Sequence, residues 1–133
     1  MRILGVDPGI ATVGYGVVEY EGNKFLASDY GAILTPAHTP LEDRLEQVYD
    51  ELAKLIVYYK AEAMSVEELF FNTNTKTAIQ VAQARGVILL SGVKAKIPTL
   101  DVYKRQAHEC YFVDIHLRGT SFQCNLLIFP FLR

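Results

Sequence analysis

The sequence predicts an α/β fold: a three-stranded antiparallel meander, then helix-linked parallel strands, all in one mixed sheet with helices packed on it. Three observations predict it. Strand-like segments at the N-terminus are separated by short turns, a long amphipathic helix follows the third of them, and two brief apolar segments each end in acid.

The first strand is Arg2 to Val6, short and apolar, and Asp7 stands where it stops. Pro8 lacks an amide hydrogen and Gly9 tolerates the dihedrals of a tight turn, so the chain reverses there. Val13 to Tyr20 resumes a strand pattern, giving a hairpin with Asp7 at its lip. Taken alone, Asp before Pro-Gly is ordinary turn chemistry. Gly22 and Asn23 form the next turn pair, and Phe25 to Leu34 supplies the third strand.

A polar connector, Thr35 to Thr39, leads to a helix start. Thr39 suits the N-cap and Pro40 the first helical position, while Glu42, three residues after Thr39, completes a capping box. From there Leu41, Leu45, Val48, Leu52, Leu55, Ile56 and Tyr59 recur at steps of three and four, with Glu42, Asp43, Glu46, Asp50 and Lys54 on the other side. A helical crossover of this length suits a parallel pairing. The segment it delivers, Met64 to Val66, is followed at once by Glu67 and Glu68. If the two acid-tipped strands are parallel neighbours, Asp7 and Glu67 converge, and converging carboxylates repel unless a divalent cation lies between them. Glu68, one residue on, points to the opposite face and serves a helix or a surface.

Four blocks then resemble the RuvC Holliday-junction resolvases of the ribonuclease-H-like superfamily. They are G-V-D-P-G at Gly5 to Gly9, G-Y-G-V-V at Gly14 to Val18, S-V-E-E-L-F-F at Ser65 to Phe71 and A-Q-A-R-G at Ala82 to Gly86. The likeness covers about the first hundred residues. It implies a ribonuclease-H-like fold, a pairing of the acid-tipped strands, and a structure-selective endonuclease that resolves four-way DNA junctions in recombination and repair. It also implies Asp7 and Glu67 as catalytic metal ligands. Carboxylate-only sites select Mg²⁺, with Mn²⁺ as a substitute, over zinc. Phosphodiester hydrolysis of this kind uses two ions roughly 4 Å apart, which is the expectation for the complete family site. The implied partners are junction DNA, a second copy of the chain and the junction-binding and branch-migration proteins RuvA and RuvB.

Phe70, three residues past the strand-end Glu, is implied by the resemblance to lie near the junction centre and stack on an unpaired base, whereas Phe71 reads as a core anchor. Thr73 or Asn74 can cap a second helix carrying Ala78, Val81, Ala82, Ile88 and Leu89, small enough to pack on a sheet or on a twin helix; the resemblance assigns that helix to the dimer interface. The formal net charge of −2 gives no global basic signature. Lys76, Arg85, Lys94 and Lys96 are candidates for a local DNA-binding patch or equally for a solvated helix face, and Gln83 and Arg85 are structural or DNA-facing. Lys76 and Arg85 join Phe70 as the DNA-contact expectation. Ile97 to Leu100 reads as a fifth strand.

A chain of 133 residues, half of them hydrophobic, supports one domain with a real core. No apolar run approaches the roughly 20 residues of a membrane span and no secretory leader pattern opens the chain, so a cytoplasmic location is expected, with no membrane partner. Cys110 and Cys124 read as free thiols.

The nuclease domain is assigned to residues 1–100, incomplete at its C-terminal end, and the tail 101–133 does not match the family. Relatives offer further acidic residues, or an acid and a histidine, on a late helix. His108, Glu109, Asp114 and His116 lack that context and receive no catalytic role. The tail therefore reads as foreign, through a frameshift or a join of unrelated sequence. Two rival functions remain: a branched-DNA-binding module that does not hydrolyse, and an actin-like ATP-binding protein using Asp7 and the Gly9 turn at phosphate, against which the lack of a second Gly-rich phosphate loop speaks.

Overall fold

The computed structural model describes residues 1–22, 24–69, 75–102, 114–115 and 124–125, with backbone alone for 75–76 and for the last two pairs. The element order is β1 (Arg2–Asp7), β2 (Thr12–Glu21), β3 (Lys24–Leu34), α1 (Leu41–Tyr59), β4 (Ala63–Glu67), α2 (Thr75–Lys94), β5 (Thr99–Val102), and two short strands, β6 (Asp114–Ile115) and β7 (Cys124–Asn125). The first five strands form one sheet in the order β3-β2-β1-β4-β5, while β6 and β7 pair with each other. β1 to β3 are an antiparallel meander, and β4 is parallel to both β1 and β5. The mixed α/β architecture expected from the sequence is thus present.

Alternation along the strands divides the sheet into two faces. Leu4, Val6, Val13, Val17, Met64 and Val66 share the face covered by Val48, Leu52 and Ile56 of α1 and Ile88 of α2. Burying each such side chain contributes roughly 1.5–3 kcal/mol, so this layer is the main source of stability. α2 lies close to the sheet because Gly92 has no side chain: a Cβ there would sit 2.2 Å from Thr99 Oγ1.

Two local expectations differ from the structure. The capping box at Thr39 is not made. α1 begins at Leu41 with Pro40 in the N-cap position, φ −50° and ψ 146°, and no side chain bonds the first turn. Proline there fixes the chain direction but offers no side-chain acceptor, and Glu42 and Asp43 supply the negative charge that the helix start favours. β5 begins two residues later than the apolar run. Ile97 is still part of the turn closing α2, its amide bonding the Gly92 carbonyl at 3.2 Å, and Lys96 has a positive φ of 57°. Pro98 then presents its carbonyl to the Met64 amide at 2.8 Å, and ladder pairing starts after it.

The far end of α1 is fastened to the meander by a phenol. Tyr59 Oη donates to Asp29 Oδ2 at 2.5 Å, and the Tyr30 amide donates to Asp29 Oδ1 at 2.8 Å. The Tyr59 bond, then the Tyr30 amide, hold the Asp29 carboxyl below its ordinary 3.8, while Asp29 pushes the phenol well above its ordinary 10.0. The carboxylate's contribution is present above 3.8 and is lost as the pH falls through its lower folded-state value. The phenol's is present below 10.0 and is lost as the pH rises beyond it. Tyr59→Phe should lower stability by about 1 kcal/mol and flatten the acid limb of a urea-denaturation series, an effect kept small by Asp29's exposure. An unchanged acid limb would remove this account.

Candidate active site

Two acids are brought to one place by strand pairing. β1 and β4 run parallel with Ile3 opposite Ala63, Leu4 opposite Met64 and Val6 opposite Val66. One step beyond the last pair, Asp7 and Glu67 stand side by side at the ends of adjacent strands, whose backbones lie about 4.8 Å apart. Because Val6 and Val66 face the helices, Asp7 and Glu67 lie on the other face of the sheet, away from α1 and α2. Both are half-buried. Their neighbours on that face are small: Gly14 is paired with Asp7, Gly5 precedes it by two positions, and Ser65 precedes Glu67 likewise.

The turn leaving Asp7 is tight. A Cβ on Gly9 would lie 2.0 Å from the Thr12 carbonyl oxygen, so no other residue fits that backbone. Pro8 and Ile10 are buried, which anchors the turn from below.

Beyond Glu67 the Glu68 amide extends the ladder to the Val102 carbonyl at 3.0 Å. The Glu68 oxygen Oε2 is buried without a hydrogen-bond partner among the described residues, a situation that costs about 1–3 kcal/mol. Sequence reasoning gave Glu68 a bland surface or helix role, and nothing in its spacing signals this orphaned acceptor.

Arg85, half-buried, reaches from α2 to the same region. Its Nε donates to the Glu67 carbonyl at 3.3 Å and its Nη2 pairs with the Asp101 carboxylate. With its side chain 19% exposed and both acceptors held, Arg85 ties α2 to the ends of β4 and β5, which favours the structural of its two readings. Lys94 and Lys96 are exposed but lie where α2 hands over to the start of β5, the opposite end of the sheet from the acids. They therefore form no common patch with the start of α2. Lys76 lies on the first turn of α2, outside the described side chains, and Phe70, Phe71, Thr73 and Asn74 lie outside the described residues, as do His108, Glu109, Cys110 and His116.

An oxygen-only pair suits a hard cation. Mg²⁺ is commonly held by one or two carboxylates with water completing the shell, and Asp7 with Glu67 meets that need for one ion. Among the described residues, no group of three or more His, Cys, Asp or Glu gathers to hold a metal, so a full two-ion set is not assembled by them.

A mixed sheet ordered β3-β2-β1-β4-β5, with acid at the ends of its two central parallel strands, defines a ribonuclease-H-like nuclease fold. The family model described as "Crossover junction endodeoxyribonuclease RuvC" matches residues 3–110, and the chain belongs to the RuvC family. It is similar to the crossover junction endodeoxyribonuclease RuvC of Fusobacterium nucleatum, 53% identical over 97 residues that make up 73% of this chain and 51% of that protein. The RuvC of Clostridioides difficile is 56% identical over 91 residues, 68% of this chain and 54% of that protein. Among solved structures, T. thermophilus RuvC in complex with a Holliday junction substrate superposes with a TM-score of 0.72 at 28% identity, covering 80% of this chain and 68% of that one. The yeast mitochondrial Holliday junction resolvase shares the fold, with a TM-score of 0.58 at 15% identity over 76% of this chain and 50% of that one. The chain spans about half the length of the first two curated relatives. β5 runs through Val102 and the family match through residue 110, both past the border drawn at residue 100 from motifs alone.

Proposed function

We propose that this chain carries the nuclease unit of a resolvase that cuts four-way DNA junctions by metal-dependent phosphodiester hydrolysis. The observation that carries the reading is the register that sets Asp7 beside Glu67, in a chain of the RuvC family. Mg²⁺, or Mn²⁺ in its place, would supply Lewis-acid stabilisation of charge developing on the phosphate, with two ions in the complete family site. Asp7 and Glu67 would hold the cation, their oxygen-only chemistry suiting Mg²⁺ or Mn²⁺ better than zinc. Phe70 stacks at the junction centre and Lys76 steadies the DNA backbone, while Arg85, the other residue expected to contact DNA, braces α2 against the ends of β4 and β5.

The proposed assembly is a homodimer through α2, which is apolar on two sides. Ala84, Ile88 and Ser91 are buried against the rest of the fold. On the outer side Ile79, Leu90 and Val93 are exposed by 65%, 49% and 68%, and nothing lies within 4 Å of a Cβ placed on Gly86 between them. Ile79, Gly86, Leu90 and Val93 follow one another at steps of seven, four and three, making a stripe along one face that a twin helix can cover. RuvA and RuvB are the proposed partners by family and the cytoplasm the proposed location; no described helix is long and apolar enough to cross a membrane.

A second reading is favoured by one observation, the absence of a three-member acidic group among the described residues. On that reading the chain binds branched DNA without cutting it. A cleavage assay on a labelled four-way junction decides: product rising with added Mg²⁺ selects the nuclease, and a junction retained but uncut at every Mg²⁺ concentration selects the binding module. The tail beyond the family match is taken as foreign sequence. Sequencing the coding DNA across residues 95–110 tests that, and an uninterrupted frame in an independent isolate would end it.

A further inference from the structure

Thr35, the residue that follows β3, is 6% exposed and makes three hydrogen bonds to two other elements. Its Oγ1 donates to the Ile10 carbonyl at 2.5 Å, and its amide donates to the Ala11 carbonyl at 3.1 Å. The same Oγ1 accepts from Nε of Arg44, in the first turn of α1, at 2.8 Å. Ile10 and Ala11 belong to the turn that starts immediately after Asp7, and Gly9 within it has no room for a side chain. One buried hydroxyl therefore ties the turn behind Asp7 to the helix that carries the crossover to β4.

We propose that Thr35 and Arg44 are positioning residues for Asp7: they fix the turn it sits on, and so set the affinity of the Asp7–Glu67 pair for a divalent cation. The physical reasoning is that of an outer hydrogen-bonding shell. A carboxylate at a strand end is only as well placed as the backbone beyond it, and groups that orient metal ligands typically change metal affinity 10–100-fold when removed. A hydroxyl can both donate its one hydrogen and accept another, which is what joining a carbonyl to a guanidinium requires. Valine has the same shape with neither capacity, and leaves the Ile10 carbonyl and Arg44 Nε without their partner. Arg44 acts through the hydroxyl, holding it aimed at Ile10.

This inference rests on the metal-site reading proposed above, and calorimetric titration of the whole chain with Mn²⁺ separates the two. Thr35→Val should weaken Mn²⁺ binding about tenfold, whereas Thr35→Ser, which keeps the hydroxyl, should stay within about twofold of the parent. Arg44→Gln, which keeps the Thr35–Ile10 bond, should fall between them and serves if Thr35→Val does not fold. Amide exchange adds a readout independent of the ion: the Thr35-position amide, which donates to the Ala11 carbonyl, should lose protection in Thr35→Val while the β1–β4 ladder keeps its own. Parent-like Mn²⁺ affinity in the folded Thr35→Val or Arg44→Gln chain overturns the positioning role and leaves the nuclease reading intact. A parent chain without Mn²⁺ affinity overturns both.

Discussion

Asp7→Asn should abolish Mg²⁺-dependent cleavage of a four-way junction while junction binding persists. Asparagine has the shape of aspartate, and the turn around Pro8 and Gly9 is held by backbone geometry and buried neighbours, so the fold has no reason to change. What disappears is the negative charge proposed to hold a cation together with Glu67. Several kcal/mol of transition-state stabilisation depend on a catalytic metal, and each 1.4 kcal/mol is about tenfold in rate, so cleavage should fall by roughly a thousandfold or more. Junction affinity, measured by gel shift, should stay within a few-fold of the parent or rise slightly, since a like charge facing the phosphates has gone. Undiminished cutting by the Asn variant would remove Asp7 from the mechanism and with it the proposed site.

The second large effect concerns α2. Leu90→Glu places a charge in the middle of the outward stripe of Ile79, Gly86, Leu90 and Val93. In a two-fold dimer the substitution is present on both helices, so two unpaired carboxylates are forced into one apolar contact. Dimer affinity should drop at least about a hundredfold, seen as a shift to half the mass in sedimentation at micromolar protein. Because Leu90 is half exposed in the single chain, the melting temperature of the monomeric variant should stay close to that of the parent at high dilution. A parent that sediments as a monomer, or a variant whose mass does not change, would refute the interface.

Much of the fold was legible because its signals are local. The meander could be read from turn residues between strand-like runs, and α1 from its apolar spacing, which the structure buries at Val48, Leu52 and Ile56. The boundary errors are local too. Thr39 looked like a cap, but the chain enters the helix one residue later, and Pro98 delays β5 because it brings no amide to the ladder. α2 was harder: apolar residues on two sides blur a 3.6-residue period, so Ala82 and Leu89 could not be sorted from Ala84 and Ile88 without the packing. The pairing of Asp7 with Glu67 was not contained in the spacing of either segment. It depends on strand order, which no local pattern encodes, and the family likeness supplied it. Thr35 and Arg44 left no trace at all, since a threonine after a strand and an arginine in a helix are ordinary residues until a carbonyl is found between them.

The crossover that unites β1 with β4 makes chemistry conditional on completion of folding. A nascent chain that has formed only its hairpins holds one of the two acids, so the proposed carboxylate pair arises abruptly, when α1 has docked and the fourth strand has zipped alongside the first. A divalent ion held by that pair, as proposed, would favour the closed state over its precursors by mass action. Under the proposed function, a half-made or unravelled polypeptide would be unable to nick DNA, because the event that builds the sheet is the same event that brings the two acids together.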